Sequence, residues 1–261
     1  MRSLQREAVR DQIFDTVHFT TVADILRTAD LQPHRFGYWK TTVWDEAAIK
    51  QAAQVLWCYE RADWLWAHGQ IVMCIDEKPN LQVLERIKPI ERCRPGKIER
   101  QEFEYRRHGT INLLGGLRVH DGWMWAECLD ANDGEHFRPA IKRLFHSQRN
   151  VERIHLILDG GSSHISGETK AFLAEWSPWV RVLYTPPHAS WLNQAELLLR
   201  AFSERYLKRG SWETRQDMVD HILASRHEHN RDWACPFEWS WTRREFRLWR
   251  KTKAESKCCK T

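Results

Sequence analysis

Long apolar runs are missing from this chain. No stretch among its 261 residues approaches the roughly 18 apolar residues of a membrane span. The opening segment, Met1-Arg2-Ser3-Leu4-Gln5-Arg6-Glu7, lacks the apolar centre of a signal peptide. The expectation is a cytoplasmic protein with no membrane partner. Paired cysteine spacing is missing too. The seven cysteines (Cys58, Cys74, Cys93, Cys128, Cys235, Cys258 and Cys259) are odd in number and form no CxxC pair. That argues against a disulfide framework and gives little support to a zinc site, so the cysteines read as reduced thiols. Internal repeats and low-complexity tracts are also lacking. A glycine-rich turn at Asp159-Gly160-Gly161 has no lysine at P-loop spacing behind it, which leaves a nucleotide site with little support.

What is present suits a globular protein. Hydrophobic residues make up 42% of the chain, enough for a sizeable core in one large domain or two smaller ones. Fifteen tryptophans are many, and most are expected to be buried. The net charge of +5 permits nucleic-acid binding without requiring it. Basic residues concentrate at the end, where Arg243, Arg244, Arg247, Arg250, Lys251, Lys253, Lys257 and Lys260 face only Glu245 and Glu255. This tail, residues 243–261, reads equally as a solvated, frayed terminus or as a contact for a DNA backbone.

Patterning divides the chain further. Thr21-Val22-Ala23-Asp24 has capping-box character, and Val22, Ile25, Leu26 and Ala29 continue at helical spacing until Pro33. Residues 45–66 read as one longer helix with Ala48, Ile49, Ala52, Val55, Leu56 and Tyr59 on one face. Strands are expected at residues 70–76, 81–87, 110–119, 123–129, 154–159 and 180–184, with an Asp121-Gly122 turn and a charged loop or projecting hairpin over residues 92–108. Helices are expected at residues 135–147, 166–176 (Ser166 as cap), 191–208 (Ser190 as cap) and 214–230. The order predicts an α/β fold with a mixed sheet covered by helices.

Three acids stand out in this pattern. Asp76 ends the run Ile71-Val72-Met73-Cys74-Ile75, and Asp159 ends the run Ile154-His155-Leu156-Ile157-Leu158. The ends of buried strands are where α/β folds place ligands, although one such Asp alone also reads as a turn or cap carboxylate. Glu196 borders the helical stripe of Leu192, Ala195, Leu199, Phe202 and Tyr206. Alone it also reads as a boundary residue whose head reaches water or pairs with Arg200. Together the three are an oxygen-ligand set for hard divalent cations. Two such ions about 4 Å apart suit phosphodiester hydrolysis and transfer.

Around these acids the chain resembles the mariner-like DDE transposases of the bacterial insertion-sequence branch. The resemblance rests on Cys74-Ile75-Asp76-Glu77-Lys78-Pro79, on Leu158-Asp159-Gly160-Gly161-Ser162-Ser163-His164, and on the stretch from Tyr184-Thr185-Pro186-Pro187 through Ser190-Trp191-Leu192-Asn193-Gln194-Ala195-Glu196. Arg209-Gly210-Ser211-Trp212 and Pro236-Phe237-Glu238-Trp239 are similar to later landmarks of the family. It implies an RNase H-like fold and a catalytic, metal-binding triad of Asp76, Asp159 and Glu196 holding two Mg²⁺ or Mn²⁺ ions. It further implies transposon-end and target DNA as partners, a homodimer, and a cytoplasmic, nucleoid-associated location.

Two departures qualify the match. The family usually has Asn where Gly160 stands, and only the last part of a helix-turn-helix region is recognisable, over residues 19–39. The expected organisation is a partial helix-turn-helix remnant (1–45), a linker helix (46–68), the catalytic domain (69–242) and the basic tail. His164 matches a family histidine, as a site-shaping or a structural residue. Residues 97–107 would contact a partner subunit or DNA, or form a solvated hairpin. The rival to an active transposase is an inactive DNA-binding or dimerisation remnant; a general RNase H-like nuclease fits the stretch before Glu196 less well.

Overall fold

The computed structural model describes residues 2–29, 42–88, 91–100 and 103–258, without the side chains of Ser3 and residues 253–258. The chain divides into two compact units, Met1–Thr41 and Thr42–Thr261.

In the first unit, α1 (Arg2–Arg10) and α2 (Phe19–Thr28) pack together, and the Gln5 side-chain amide donates to the Val17 carbonyl at 2.8 Å. The cap of α2 is His18, whose ring accepts from the Thr20 N–H. Thr21 therefore lies inside the helix, and the capping box expected there is not formed. The expected break at Pro33 falls outside the described residues.

The second unit is built on a five-stranded mixed sheet of order β3-β2-β1-β4-β5. β1 (Gln70–Arg86), β2 (Tyr105–Arg118) and β3 (Met124–Leu129) form an antiparallel meander. β4 (Arg153–Leu158) runs parallel to β1, and β5 (Val180–Tyr184) parallel to β4. The two strands expected at 70–76 and 81–87 are one. The register of β1 against β2 shifts between Lys78 and Leu81, so Pro79, which has no N–H for a ladder, sits in an irregularity that does not need one. Asn80 takes φ of 56° there, and its N–H is held by the Asn112 side chain at 3.0 Å. Past this bulge the β1–β2 ladder extends toward the segment expected as a hairpin, where Glu91 bridges Arg100 and Arg94 bridges Lys97. At the other end of β2, Gly122 supplies φ of +73° for the Asp121-Gly122 turn into β3.

Alternation along the strands sends side chains to opposite faces. Val72 and Cys74 of β1 and Ile157 of β4 join one apolar cluster with α3 (Glu46–Glu60), α8 (Ala195–Phe202) and α9 (Arg215–Asp232). Ile71, Met73 and Ile75, with Leu156 and Leu158, join a second cluster with α5 (Gly134–Ser147) and α7 (Gly167–Ala174). The helix expected over 45–66 is broken at Arg61 into α3 and α4 (Ala62–Ala67), and the side chain of Asp45 caps α3 through the Ala48 N–H at 2.7 Å. Ala52, Val55 and Leu56 are fully buried, so α3 is part of this core.

Two further expectations are corrected. Among the described tryptophans only Trp125 and Trp212 are buried. The others lie at the margins, where a large ring covers apolar surface while one edge stays wet. The basic tail is not a frayed terminus at its start. It forms α10 (Arg243–Cys258), with Phe246 buried against Trp44 at 5.0 Å between ring centroids and Arg243 paired with Glu60 at 2.7 Å. Cys58, Cys74, Cys93, Cys128 and Cys235 are free thiols. Among the described residues no helix is long and apolar enough to cross a membrane.

Candidate active site

The parallel register of β1 on β4 pairs Cys74 with Ile157. Carrying it two residues further brings Asp76 beside Asp159, on strands about 4.8 Å apart. Asp76 follows the parity of Cys74 and projects on the face that carries α8, while Asp159 follows the last residue of β4. Asp76 accepts from the Glu77 N–H at 2.8 Å. Asp159 accepts at Oδ1 from the Gly161 N–H at 2.9 Å and from His164 Nδ1 at 2.7 Å. In both carboxylates Oδ1 is engaged, and Oδ2 has no hydrogen-bond partner among the described residues. Burial and the charge of Asp159, reinforced by Glu77 and Glu196, push the Asp76 carboxyl up to about 7.

The helix carrying Glu196 is fixed to the same strand. Ser190 does not cap it, because residues Ser190–Leu192 form a short 3-10 turn and α8 starts at Ala195. Gln194 occupies the cap position without a side-chain capping bond, and Asn193 just before it accepts at Oδ1 from the Ala195 N–H at 3.2 Å. Its Nδ2 donates to the Ile75 carbonyl at 2.7 Å. One fully buried side chain thus joins the start of α8 to the residue before Asp76. The Tyr59 hydroxyl, from α3, donates to the Leu192 carbonyl at 2.7 Å and accepts from the Gln194 N–H. Glu196 therefore stands in the first turn of α8, not deeper in a long helix. It is exposed and forms no ion pair with Arg200 or any other described residue. Gly115 of β2 pairs directly with Asp76. A Cβ there would lie 2.5 Å from Leu199 Cδ2, so the glycine lets α8 rest on the sheet beside the acid.

On the other side of the sheet, between the middle of β1 and the end of β4, a different group forms. His164, on α6 (Ser162–Ile165), is fully buried. It donates through Nδ1 to Asp159 and through Nε2 to Glu77 at 2.8 Å, and the Ser163 hydroxyl donates to the same Glu77 oxygen at 3.2 Å. Burial opposes the imidazolium, but the hydrogen bonds and charges of Asp159 and Glu77 prevail and raise its pKa to about 10. The hydrogen bond from His164, with burial opposing it, in turn holds Asp159 below the usual carboxylate range. One potential ligand atom from each of Glu77, Asp159 and His164 lies within 4.8 Å of the others. The doubly donating ring already supplies the cation there, so this group is an ion-pair cluster. Glu77, Asn193, Tyr59 and Gly115 are parts of the site that sequence reasoning gave no role. Glu77 and Asn193 lay inside the motifs, but nothing in one sequence distinguishes a clamp from a neighbour.

The residues that build this edge define a class. The chain belongs to the DDE superfamily endonucleases, whose family model matches residues 72–219. It is 34% identical over 94 residues to the insertion element IS630 uncharacterized 39 kDa protein of Shigella sonnei, a match covering 35% of this chain and 26% of that protein. The chain thus spans about a quarter of the length of that relative. Among solved structures it is similar to the Mos1 transposase paired-end complex with left transposon end, at TM-score 0.52 and 15% identity over 88% of this chain and 71% of that one. The Mos1 mariner paired end complex with Mg gives TM-score 0.52 and 15% identity over 90% and 75%. At this identity the likeness establishes the fold, which is RNase H-like.

Proposed function

We propose that this chain carries the catalytic domain of a DDE transposase, cutting DNA at transposon ends and joining the freed ends to target DNA. Asp76, Asp159 and Glu196 would be its catalytic residues and the holders of two divalent ions, Mg²⁺ or Mn²⁺. The observation that carries this is the pair of carboxylates at β1 and the end of β4, Asp76 with no cation beside it and Asp159 joined to His164 through Oδ1 alone, each with an Oδ2 that has no hydrogen-bond partner among the described residues, beside a helix that presents Glu196. Half-buried neighbouring acids are costly unless a cation joins them, and His164 reaches Asp159 but not Asp76; the hard oxygen set suits Mg²⁺.

Bound ions would supply an activated water for hydrolysis and relief of charge on the leaving oxygen. The chain's own part is position. Asp76 and Asp159 are fixed by adjacent strands, and their engaged Oδ1 atoms set the direction of Oδ2. Asn193 and Tyr59 hold the first turn of α8 at the height of Asp76. Hydrolysis breaks the bond from phosphorus to the bridging O3′ and leaves a 3′-hydroxyl. In the second step that hydroxyl's oxygen attacks a target phosphodiester in line and a target O3′ leaves. The 1–45 segment is proposed as part of an end-recognition module, residues 46–68 as the helical connection that also packs into the core of the catalytic domain at 69–242, and a second copy of the chain as the partner in synapsis.

The test is divalent-dependent cleavage of duplex DNA with Asp76→Asn and Glu196→Gln. Both are expected to lose at least about 10³-fold in rate while melting cooperatively. Full activity in either variant overturns the assignment. A wild-type chain that binds DNA, takes up no Mn²⁺ and cuts nothing would instead be the inactive remnant.

A further inference from the structure

The outer edge of the sheet carries a second concentration of charge, of the opposite sign. An open cavity of about 560 Å³ runs along edge strand β5 and the end of α7. Arg153, Lys170, Ser177, Arg181 and Tyr184 are the polar residues along it, and no acid lines it. The neighbouring cavity between α5 and α7 is different, lined by Glu135, Glu168 and Glu175 as well as Arg138 and Lys142, with Arg138 paired to Glu168 at 3.0 Å. Arg153, Lys170 and Arg181 make no ion pair with any described carboxylate.

The two arginines reinforce each other's cost. His155 pairs with Arg181 across β4 and β5, and Arg153 stands two residues before His155; by alternation these lie on the α3 face and Lys170 and Tyr184 on the α7 face, so the basic residues border edge strand β5 from both sides. Like charges on neighbouring strand positions repel. The imidazole between them registers this field: burial, then Arg181 and Arg153, push the His155 pKa down to about 4. An anion seated between the guanidiniums would reverse that repulsion. The groove also leads toward the acidic end of the sheet, because Tyr184 at the end of β5 donates its hydroxyl to the His164 carbonyl at 3.2 Å.

We propose that this groove is a second DNA contact, in which Arg153, Arg181 and Lys170 grip the phosphodiester backbone, with Arg153 about 20 Å from Asp159 along the strand. It rests on the reading of the chain as a DNA-cutting enzyme and adds where the duplex runs. Arg153 precedes Asp159 by six residues of nearly extended chain, a span of about six nucleotides along one strand. The contact is to phosphate, so it is indifferent to sequence.

The experiment is fluorescence anisotropy of a duplex of about 40 base pairs in EDTA, titrated between roughly 50 and 200 mM KCl. Arg153→Gln/Arg181→Gln is compared with wild type and with Lys142→Gln/Arg149→Gln, which removes two exposed charges elsewhere. The first variant is expected to bind at least about tenfold more weakly, with a salt slope shallower by about 2, and the second to keep the wild-type slope. Arg153→Lys/Arg181→Lys should restore most of the slope, and thermal melting confirms that each variant is folded. Equal slopes in the two Gln variants overturn the groove, including the outcome in which only an acidic peptide such as polyglutamate distinguishes them. If Asp76→Asn loses cleavage while the slopes stay equal, the groove fails and the enzyme reading stands. If the wild type binds no duplex at the lowest salt, both fail.

Discussion

Asp76 and Glu77 are neighbours on one strand, and the protein treats them in opposite ways. Glu77 points to the α5 and α6 side, where a buried imidazolium and a serine hydroxyl satisfy it. Asp76 points to the α8 side, where its neighbours are Asp159 and Glu196 and its own carboxyl is pushed up to about 7. Asp159 belongs to both groups, with Oδ1 given to His164 and Oδ2 left over. The contrast separates an acid whose charge is completed by the fold from an acid whose charge must be completed from outside. The first kind stabilises, and the second makes a site.

The comparison can be broken from the compensated side first. His164→Leu removes the cation and strands two acids, and is expected to cost about 3 kcal/mol or more at neutral pH. The ring's pKa is raised from its ordinary value to about 10, so its contribution is complete below about pH 6.5 and fades as pH rises toward 10. Urea melts from pH 6 to pH 10 should show the deficit shrinking. A constant deficit would mean packing against Phe137 matters more than charge.

From the uncompensated side the sign reverses. The Asp76 carboxyl is also raised, so the native state loses stability as pH climbs from about 4 to about 7, where the acid ionises against its neighbours. Asp76→Asn is therefore expected to stabilise the metal-free protein by about 2 kcal/mol at pH 8 and by almost nothing at pH 4. Added Mn²⁺ should erase that advantage by raising the Tm of the wild type alone. An Asn variant less stable than wild type at pH 8 in EDTA would contradict the reading of strain.

A smaller effect sharpens the geometry. Gly115→Ala puts a methyl 2.5 Å from Leu199 Cδ2 and is expected to cost about 1–2 kcal/mol as α8 shifts off the sheet. If Glu196 completes the site from that helix, Mn²⁺ affinity measured by calorimetry falls with it. Unchanged affinity would detach Glu196 from the metal role.

Much of this was legible in the sequence, for a definite reason. Asp76 and Asp159 end runs too apolar to be anything but buried strands; Asp159 does follow the last residue of β4, whereas Asp76 lies inside β1, which runs on to Arg86. Ser166 caps α7 through the Thr169 N–H, as expected. The start of α8 was misplaced because Ser190 has the chemistry of a cap but opens a 3-10 turn, while the decisive bond, from Asn193 to Ile75 O, spans residues far apart in the chain. β1 was divided at Pro79 because proline's usual effect is local, whereas the bulge that accommodates it is set by Asn112 on the next strand. The His164 bridge was half visible: its residue was noted, but its second partner, Glu77, is 87 positions away.

Gly160 remains. A Cβ on it would meet nothing within 4 Å, and its backbone is not in the left-handed region. Nothing in the protein's own packing demands a glycine beside Asp159. The position is thus a free variable: Gly160→Asn should leave stability within about 0.5 kcal/mol of wild type. Any change in turnover it produced would measure an amide's worth at this site, uncoupled from the fold.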